Sequence, residues 1–408
     1  MISAVISGAV AVGWGYMMYR QLPKPYVKRC MIKAFKAAEI YQKVVKSSGD
    51  KKHERLVYPS IKRIGVYEDR TQVIFSVPDG INPADIYKKD FVFKQVFGEL
   101  IELTGNSKTF NLMIYSTELA AFDYDAVEVA EVVKGYDLPI LAGRSRKGFE
   151  VYDMCEHPHL LIAGETGSGK SVQLRSIIST IIQHAGDRVD LYCADLKRSE
   201  FYLFRGIAKT VDVEPIKLLN TLLQVKKELK RRGNILDKAE LSNINDLPAD
   251  KRPNYIVVAI DEVALLKKEK DVMEIIEEIS AIGRALGVFL ILSMQRPDAD
   301  VLDGKLKNNL TVRMAFRHAD GINSRITLGS EEAATISQSQ KGRFYMALDG
   351  LKQVQAPLLS VPDAKELLAA HKRIEIDVND FEQHLASLEP VEEDSDDFDT
   401  FGGLDYDE

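Results

Sequence analysis

At 408 residues, 45% of them hydrophobic and 28% charged, the chain is long enough for one large domain and a smaller companion. Three cysteines, Cys30, Cys155 and Cys193, stand far apart without C-x-x-C spacing, which argues against a disulfide framework or a zinc site and suits a reducing cytoplasm. The formal net charge of −7 is an uneven average. Ten acidic residues and no Lys or Arg lie between Glu389 and Glu408, so the rest of the chain holds 51 carboxylates against 54 cations, and a polyanionic partner is not excluded.

Residues 1 to 19 carry no charged side chain. As a helix they span roughly 28 Å, close to the hydrocarbon thickness of a bilayer. Arg20, Lys24, Lys28, Arg29, Lys33 and Lys36 follow before the first acid, Glu39, and Trp14, Tyr16 and Tyr19 suit an interface. The expectation is a single-pass anchor in the cell membrane over 1–20, with the remaining chain in the cytoplasm. A peripheral or soluble amphiphilic helix is the alternative, because Gly8, Gly13 and Gly15 dilute the apolar run. Pro23 and Pro25 then interrupt it before a basic linker or helix over 21–54, which either touches anionic lipid or is a solvated face.

Over 55–125 the pattern predicts a small α+β unit, an adaptor or oligomerisation domain. Its strands are Ile61–Tyr67, Gln72–Val77 and Thr109–Tyr115, with a turn at Pro78-Asp79-Gly80 and a helix over Lys88–Leu103. From 126 to 375 apolar runs alternate with helical patterns, as in a mostly parallel sheet covered by helices. The predicted strands are His159–Ala163, Arg188–Ala194, Tyr255–Ile260, Val288–Met294, Thr311–Phe316 and Arg343–Leu348. Helices are predicted over Ser171–His184, Ile216–Leu236 and Val272–Leu286, the last with Val272, Ile275, Ile276, Ile279 and Ile282 on one face. The final stretch, 376–408, is a short segment and an acidic tail of disorder-prone composition.

The densest chemistry is Gly164-Glu165-Thr166-Gly167-Ser168-Gly169-Lys170-Ser171, followed by Val172. Its glycines let backbone N–H groups close around phosphate oxygens, Lys170 neutralises the terminal phosphates and the Ser171 hydroxyl is placed for Mg2+. An apolar run precedes it and an amphipathic pattern follows, as a phosphate-binding loop between strand and helix requires. ATP with Mg2+ is the expected ligand pair.

Binding alone is not hydrolysis. Tyr255 to Ile260 is an apolar strand that ends in Asp261-Glu262, so Asp261 is assigned to the metal and Glu262 to the attacking water. The same pair would also suit the start of a helix. A third apolar run, Val288 to Met294, ends in Gln295-Arg296-Pro297, and Gln295 is the candidate for contact with the γ-phosphate.

From about Leu138 to Leu348 the chain resembles the motor domain of the FtsK/SpoIIIE family of DNA translocases. The matching residues are Pro158 to Gly164, the phosphate loop, Asp195-Leu196-Lys197 with Glu200, and Ile256 to Glu262. Gly283-Arg284-Ala285-Leu286-Gly287, Gln295-Arg296-Pro297, Arg313 to Phe316 and Asn323-Ser324-Arg325 complete the series. The resemblance implies a RecA-like P-loop NTPase fold, a homo-hexameric ring on DNA, and an arginine reaching a neighbour's site, with Arg313 and Arg325 as candidates and Arg284 behind them. Glu165, Met294 and Leu196 depart from the family's commoner residues.

With at most one span and no room after about residue 370 for a sequence-reading domain, the layout is similar to compact FtsK-like coupling ATPases of Gram-positive conjugative elements. That similarity implies DNA pumping in conjugative transfer, with a relaxase and transfer-channel proteins as partners. The alternatives are a phage or chromosomal DNA translocase, a protein-secretion ATPase on the same motor, and a nucleotide switch. DNA contacts are sought in Lys226, Lys227, Lys230, Arg231 and Arg232, predicted as a basic helix face, and in Lys305 and Lys307.

Overall fold

Pro25 stands in the first turn of the first described helix, α1 (Lys24–Ala37), where its missing N–H is harmless. Val27, Met31, Ala34 and Phe35 recur on one side of α1 and are buried, while Lys24, Lys28, Arg29, Lys33 and Lys36 face outward. A β-hairpin of β1 (Gln42–Ser48) and β2 (Lys51–Val57) comes next. Then β3 (Ser60–Val66) and β4 (Arg70–Ser76) lead through α2 (Pro83–Lys88) and α3 (Asp90–Phe97) to β5 (Ile101–Gly105) and β6 (Thr109–Tyr115). The last four strands form an antiparallel sheet in the order β3-β4-β6-β5. Strands β4 and β6 bury every second residue, and Phe35, Phe75, Phe93 and Phe110 pack at ring distances of 5.1 to 6.3 Å.

Two sequence expectations change in this region. Helix α1 fills the same core as β4 and β6, so it is part of this unit, not of a linker separate from 55–125. The helix expected over 88–103 is instead two short helices and a strand. Asn82 caps α2 by accepting from the Ala84 N–H at 3.0 Å, Gly98 ends α3, and Ile101 and Leu103 follow the two-residue period of β5.

The computed structural model describes residues 23–48, 51–302 and 304–372, so the anchor expected over 1–20 and the acidic tail lie outside the described residues. No helix among the described residues is long and apolar enough to cross a membrane. The chain divides into two units, the first ending at Ala120 and the second beginning at Ala121.

The second unit opens with β7 (Phe122–Asp123), α4 (Ala126–Val132) and the hairpin β8 (Pro139–Ser145) and β9 (Gly148–Asp153). It continues with β10 (Leu160–Ala163), α5 (Lys170–Ala185), β11 (Val189–Asp195), β12 (Thr210–Asp212), α6 (Pro215–Ala239) and β13 (Tyr255–Asp261). Next come α7 (Lys270–Leu286), β14 (Val288–Met294), α8 (Gly304–Asn309), β15 (Val312–Phe316) and α9 (Gly321–Leu328). The hairpin β16 (Arg343–Leu348) and β17 (Gly350–Gln355), the short β18 (Pro357–Leu358) and α10 (Val361–Leu368) close the unit.

Ten of these strands form one sheet in the order β12-β11-β13-β14-β10-β15-β16-β17-β8-β9. Pairing is parallel from β12 to β15 and antiparallel beyond, so the expected parallel sheet is extended by four antiparallel strands. Strands β13 and β14 are buried at every position, as strands covered on both faces must be. Helices α5 and α10 cover one face, and α6 and α7 cover the other. Helix α7 turns its Val272, Ile275, Ile276, Ile279 and Gly283 inward, while Ile282 is 45% exposed. The 3.6-residue period passes from 279 to 283, which corrects the placement of Ile282.

Candidate active site

The carboxyl ends of β10, β11, β13 and β14 carry the polar residues, the edge at which parallel α/β sheets bind ligands. Strand β10 runs out at Ala163 and the loop 164–169 turns directly into α5, whose first-turn N–H groups have no partner within the helix. Gly169, at φ +108, adopts a backbone that side chains rarely tolerate, and a Cβ there would lie 2.7 Å from the Gly342 backbone. The loop is also tied at both ends. Gly164 N donates to the Met294 carbonyl at 3.2 Å, and the Ser168 carbonyl accepts from Gly342 N at 2.8 Å.

Lys170 is 4% exposed. Its Nζ donates to Asp261 Oδ1 at 3.0 Å and to Ser293 Oγ at 2.6 Å, and the Ser293 hydroxyl donates to the same Asp261 oxygen at 2.8 Å. A buried ammonium needs such a partner, and the carboxylate at the end of β13 supplies it. The sequence reading assigned roles to Lys170 and Asp261, which the fold brings together, but passed over Ser293. Its signal was a lone hydroxyl among seven fully buried residues of β14.

Glu262 follows at φ +59, a left-handed backbone that a non-glycine residue keeps only under constraint. Its Oε2 accepts from Lys197 Nζ at 2.7 Å, and its two oxygens accept from Gln295 N at 3.1 and 3.2 Å. The Gln295 side-chain oxygen accepts from the Thr166 hydroxyl at 3.3 Å, so Gln295 reaches the phosphate loop. Asp195, at the end of β11, accepts from the N–H groups of Ser199, Glu200 and Phe201 at 2.9 to 3.0 Å and shapes the turn that carries Glu200 inward. Burial raises the Glu200 carboxyl above its usual range, opposed by donation from the Ser171 hydroxyl and reinforced by the charge of Asp261.

Ser171 and Asp261 are hard oxygen donors near one another's network, and they fit Mg2+, which takes one or two protein oxygens and completes its shell with phosphate and water. Among the described residues there is no cluster of three or more His, Cys, Asp or Glu side chains that could hold a metal ion. Glu165 forms an ion pair with Arg317, which the sequence reading did not select. Arg317 directly follows β15, the strand beside β10, and that position was the available clue.

The other cations go elsewhere. Arg313 is half-buried on β15, level with Leu161 and Ala347, and burial lowers its pKa. Arg325 pairs with Glu331 at the surface. The basic face expected on α6 is not one face. Arg232 is buried and donates to the carbonyls of Leu286, Gly287 and Asn254, Arg231 pairs with Glu228, and Lys226 pairs with Glu278. Lys307 approaches the Arg325 carbonyl at 3.4 Å.

Residues 136–254 match the model of the FtsK/SpoIIIE family. A DNA translocase FtsK of Borreliella burgdorferi is 35% identical over 224 residues, 51% of this chain and 28% of that protein. One from Helicobacter pylori is 32% identical over 247 residues, 56% of this chain and 29% of that protein. The chain thus spans less than a third of the curated relatives it matches. Among solved structures, the pCW3 conjugation coupling protein TcpA with ATPγS superposes with a TM-score of 0.58 at 23% identity, covering 77% of this chain and 94% of that one. The cytoplasmic domain of the type VII secretion ATPase EccC of Thermomonospora curvata gives 0.52 at 22% identity, covering 58% and 31%. These two likenesses establish a shared fold.

Proposed function

We propose that the chain is an ATP-driven DNA translocase motor, working as a membrane-tethered coupling ATPase in conjugative transfer. The observation that carries the reading is the Lys170–Asp261 pair with Glu262 beside it: a phosphate-loop lysine at the start of α5 facing two consecutive carboxylates at the end of β13. The likeness to curated relatives named DNA translocases supports DNA as the substrate, and the likeness to a conjugation coupling protein supports the coupling role.

In this reading the loop N–H groups and Lys170 hold the β- and γ-phosphates of ATP, displacing Lys170 from Asp261. Ser171 and Asp261 would hold Mg2+, whose charge offsets that of the phosphates. Glu262 takes a proton from a water whose oxygen bonds to the γ-phosphorus, the bridging P–O bond breaks, and its electron pair leaves on ADP. Gln295, bonded to Thr166 and through its N–H to Glu262, links the water side to the loop. Positioning and charge stabilisation supply the rate. An arginine from a neighbouring copy in a hexameric ring, Arg313 or Arg325, completes the charge balance, and a relaxase and channel proteins are the partners. The tether is residues 1–20 and the motor faces the cytoplasm.

The deciding experiment measures phosphate release with and without single- and double-stranded DNA. Stimulation by DNA, abolished in Lys170→Ala, supports the reading; turnover indifferent to DNA counts against it. Sedimentation with membranes that persists after deleting residues 1–20 removes the tether. The EccC likeness favours one second reading, a protein-secretion motor, which stimulation by a polypeptide instead of DNA would select.

A further inference from the structure

Glu262 is held from two sides. Strand β13 lies between β11 and β14, and β14 lies next to β10 and the phosphate loop. The Gln295 N–H grips the carboxylate from the β14 side, while Lys197, on the loop after β11, grips it from the side away from the phosphates. Both Glu262 oxygens therefore already hold hydrogen bonds. The two partners of the ion pair also differ in access: the Lys197 side chain is 31% exposed and that of Glu262 only 7%. Arg198, next to Lys197, sits at φ +58, is 64% exposed and pairs with Glu214 at 3.5 Å, so this loop carries two cations on its solvent side. An anion arriving from outside meets Lys197 before it meets Glu262.

We propose that Lys197 is a positioning residue that latches Glu262, and that a phosphate oxygen competing for its ammonium releases the carboxylate to accept the proton of the attacking water. An ammonium exchanges a carboxylate for a phosphate readily, since both are anionic oxygen acceptors and a phosphate offers several. After the exchange Glu262 is held by the Gln295 N–H alone, on the phosphate-loop side. The competing oxygen is that of a DNA backbone phosphate, because Lys197 grips Glu262 from the side away from the phosphate loop. This inference rests on the ATPase reading above and deepens it: the latch makes hydrolysis conditional on a bound polyanion.

The test uses the full chain, at saturating ATP, with and without double-stranded DNA, comparing the wild type with Lys197→Gln, Lys197→Ala and Lys197→Arg. A partly exposed ion pair restrains its partner by a factor of about five. Lys197→Gln and Lys197→Ala are therefore expected to raise the DNA-free kcat about fivefold, and Lys197→Arg, which keeps the ion pair, to leave it at the wild-type value. The ratio of DNA-stimulated to basal kcat shrinks by the same factor, and an unchanged ratio overturns release by DNA. Equilibrium binding of a fluorescent ATP analogue checks that each variant is folded. A DNA-free kcat in both Lys197→Gln and Lys197→Ala that is unchanged or lower, with nucleotide binding intact, overturns the latch, as does a Lys197→Arg variant that behaves like Lys197→Gln. A wild-type chain without ATP turnover overturns the ATPase reading instead, so the two failures are distinguishable.

Discussion

The first unit and the second solve burial differently. Inside the first, the core is Val27, Met31, Phe35, Phe75, Phe93, Phe110 and their aliphatic neighbours, and Thr71 is its buried polar residue among the described positions. Inside the second, Lys170, Asp195, Asp261, Glu262, Arg232 and two histidines are as buried as the leucines around them. Burying charge is costly unless it is paired, so a fold that keeps four buried charges, Lys170, Asp195, Asp261 and Glu262, at the carboxyl edge of one sheet is built around them. The contrast separates a region whose residues serve packing from one whose residues serve a ligand.

Breaking the first core tests whether that separation is real. Phe75→Ala removes the ring at the centre of the phenylalanine cluster and is expected to destabilise its unit by about 3–5 kcal/mol. ATP turnover by the second unit stays intact; denaturant unfolding and phosphate release, measured on one preparation, check both halves of this statement. Lys170→Ala is the converse change. It should lower turnover about 10²- to 10³-fold while the thermal transition of the first unit does not move. Gly169→Ala forces a side chain against Gly342 and should weaken nucleotide binding about tenfold, read by titration with a fluorescent analogue.

Acid sharpens the comparison further. His159 and His318 are each pulled down to about 4 by burial, below the ordinary 6.5 of an unfolded chain. Between those values the unfolded state binds the protons, so their contribution is complete above about pH 6.5 and is lost as pH falls towards 4. The Tm of the second unit should fall across that window, and His318→Asn should flatten the fall; calorimetry at pH 7, 5.5 and 4.5 checks it. The smallest effect is expected from Lys226→Ala, which breaks an exposed pair with Glu278 and should change neither Tm nor DNA affinity measurably.

The phosphate loop was legible in the sequence because its chemistry is local: glycines, lysine and serine lie within eight consecutive residues between a strand and a helix. Asp261 and Glu262 were legible because an uninterrupted apolar strand points at them. What stayed hidden needs strands brought side by side. Ser293 reads as one more strand residue until β14 is placed between β13 and β10, and Arg317 reads as a surface arginine until β15 is placed beside the loop. Arg232 shows the opposite error. It lies in a run of five basic residues within seven positions, yet its position on the inner side of α6 sends it to two carbonyls at the C-terminal end of α7 and one just before β13. The antiparallel strands β8, β9 and β17 escaped notice because the expectation was a mostly parallel sheet.

The seam between Gly169 and Gly342 has a consequence for how variants of this chain should be interpreted. Two glycines from opposite ends of the second unit touch backbone to backbone, with the Ser168 carbonyl and the Gly342 amide clasped across the contact. The curvature of the anion cradle is thus a joint property of its own eight residues and of the turn that feeds β16. Substitutions in the polar stretch 337–342, though remote in the chain from any recognised motif, belong in the same phenotypic class as lesions in the motif itself.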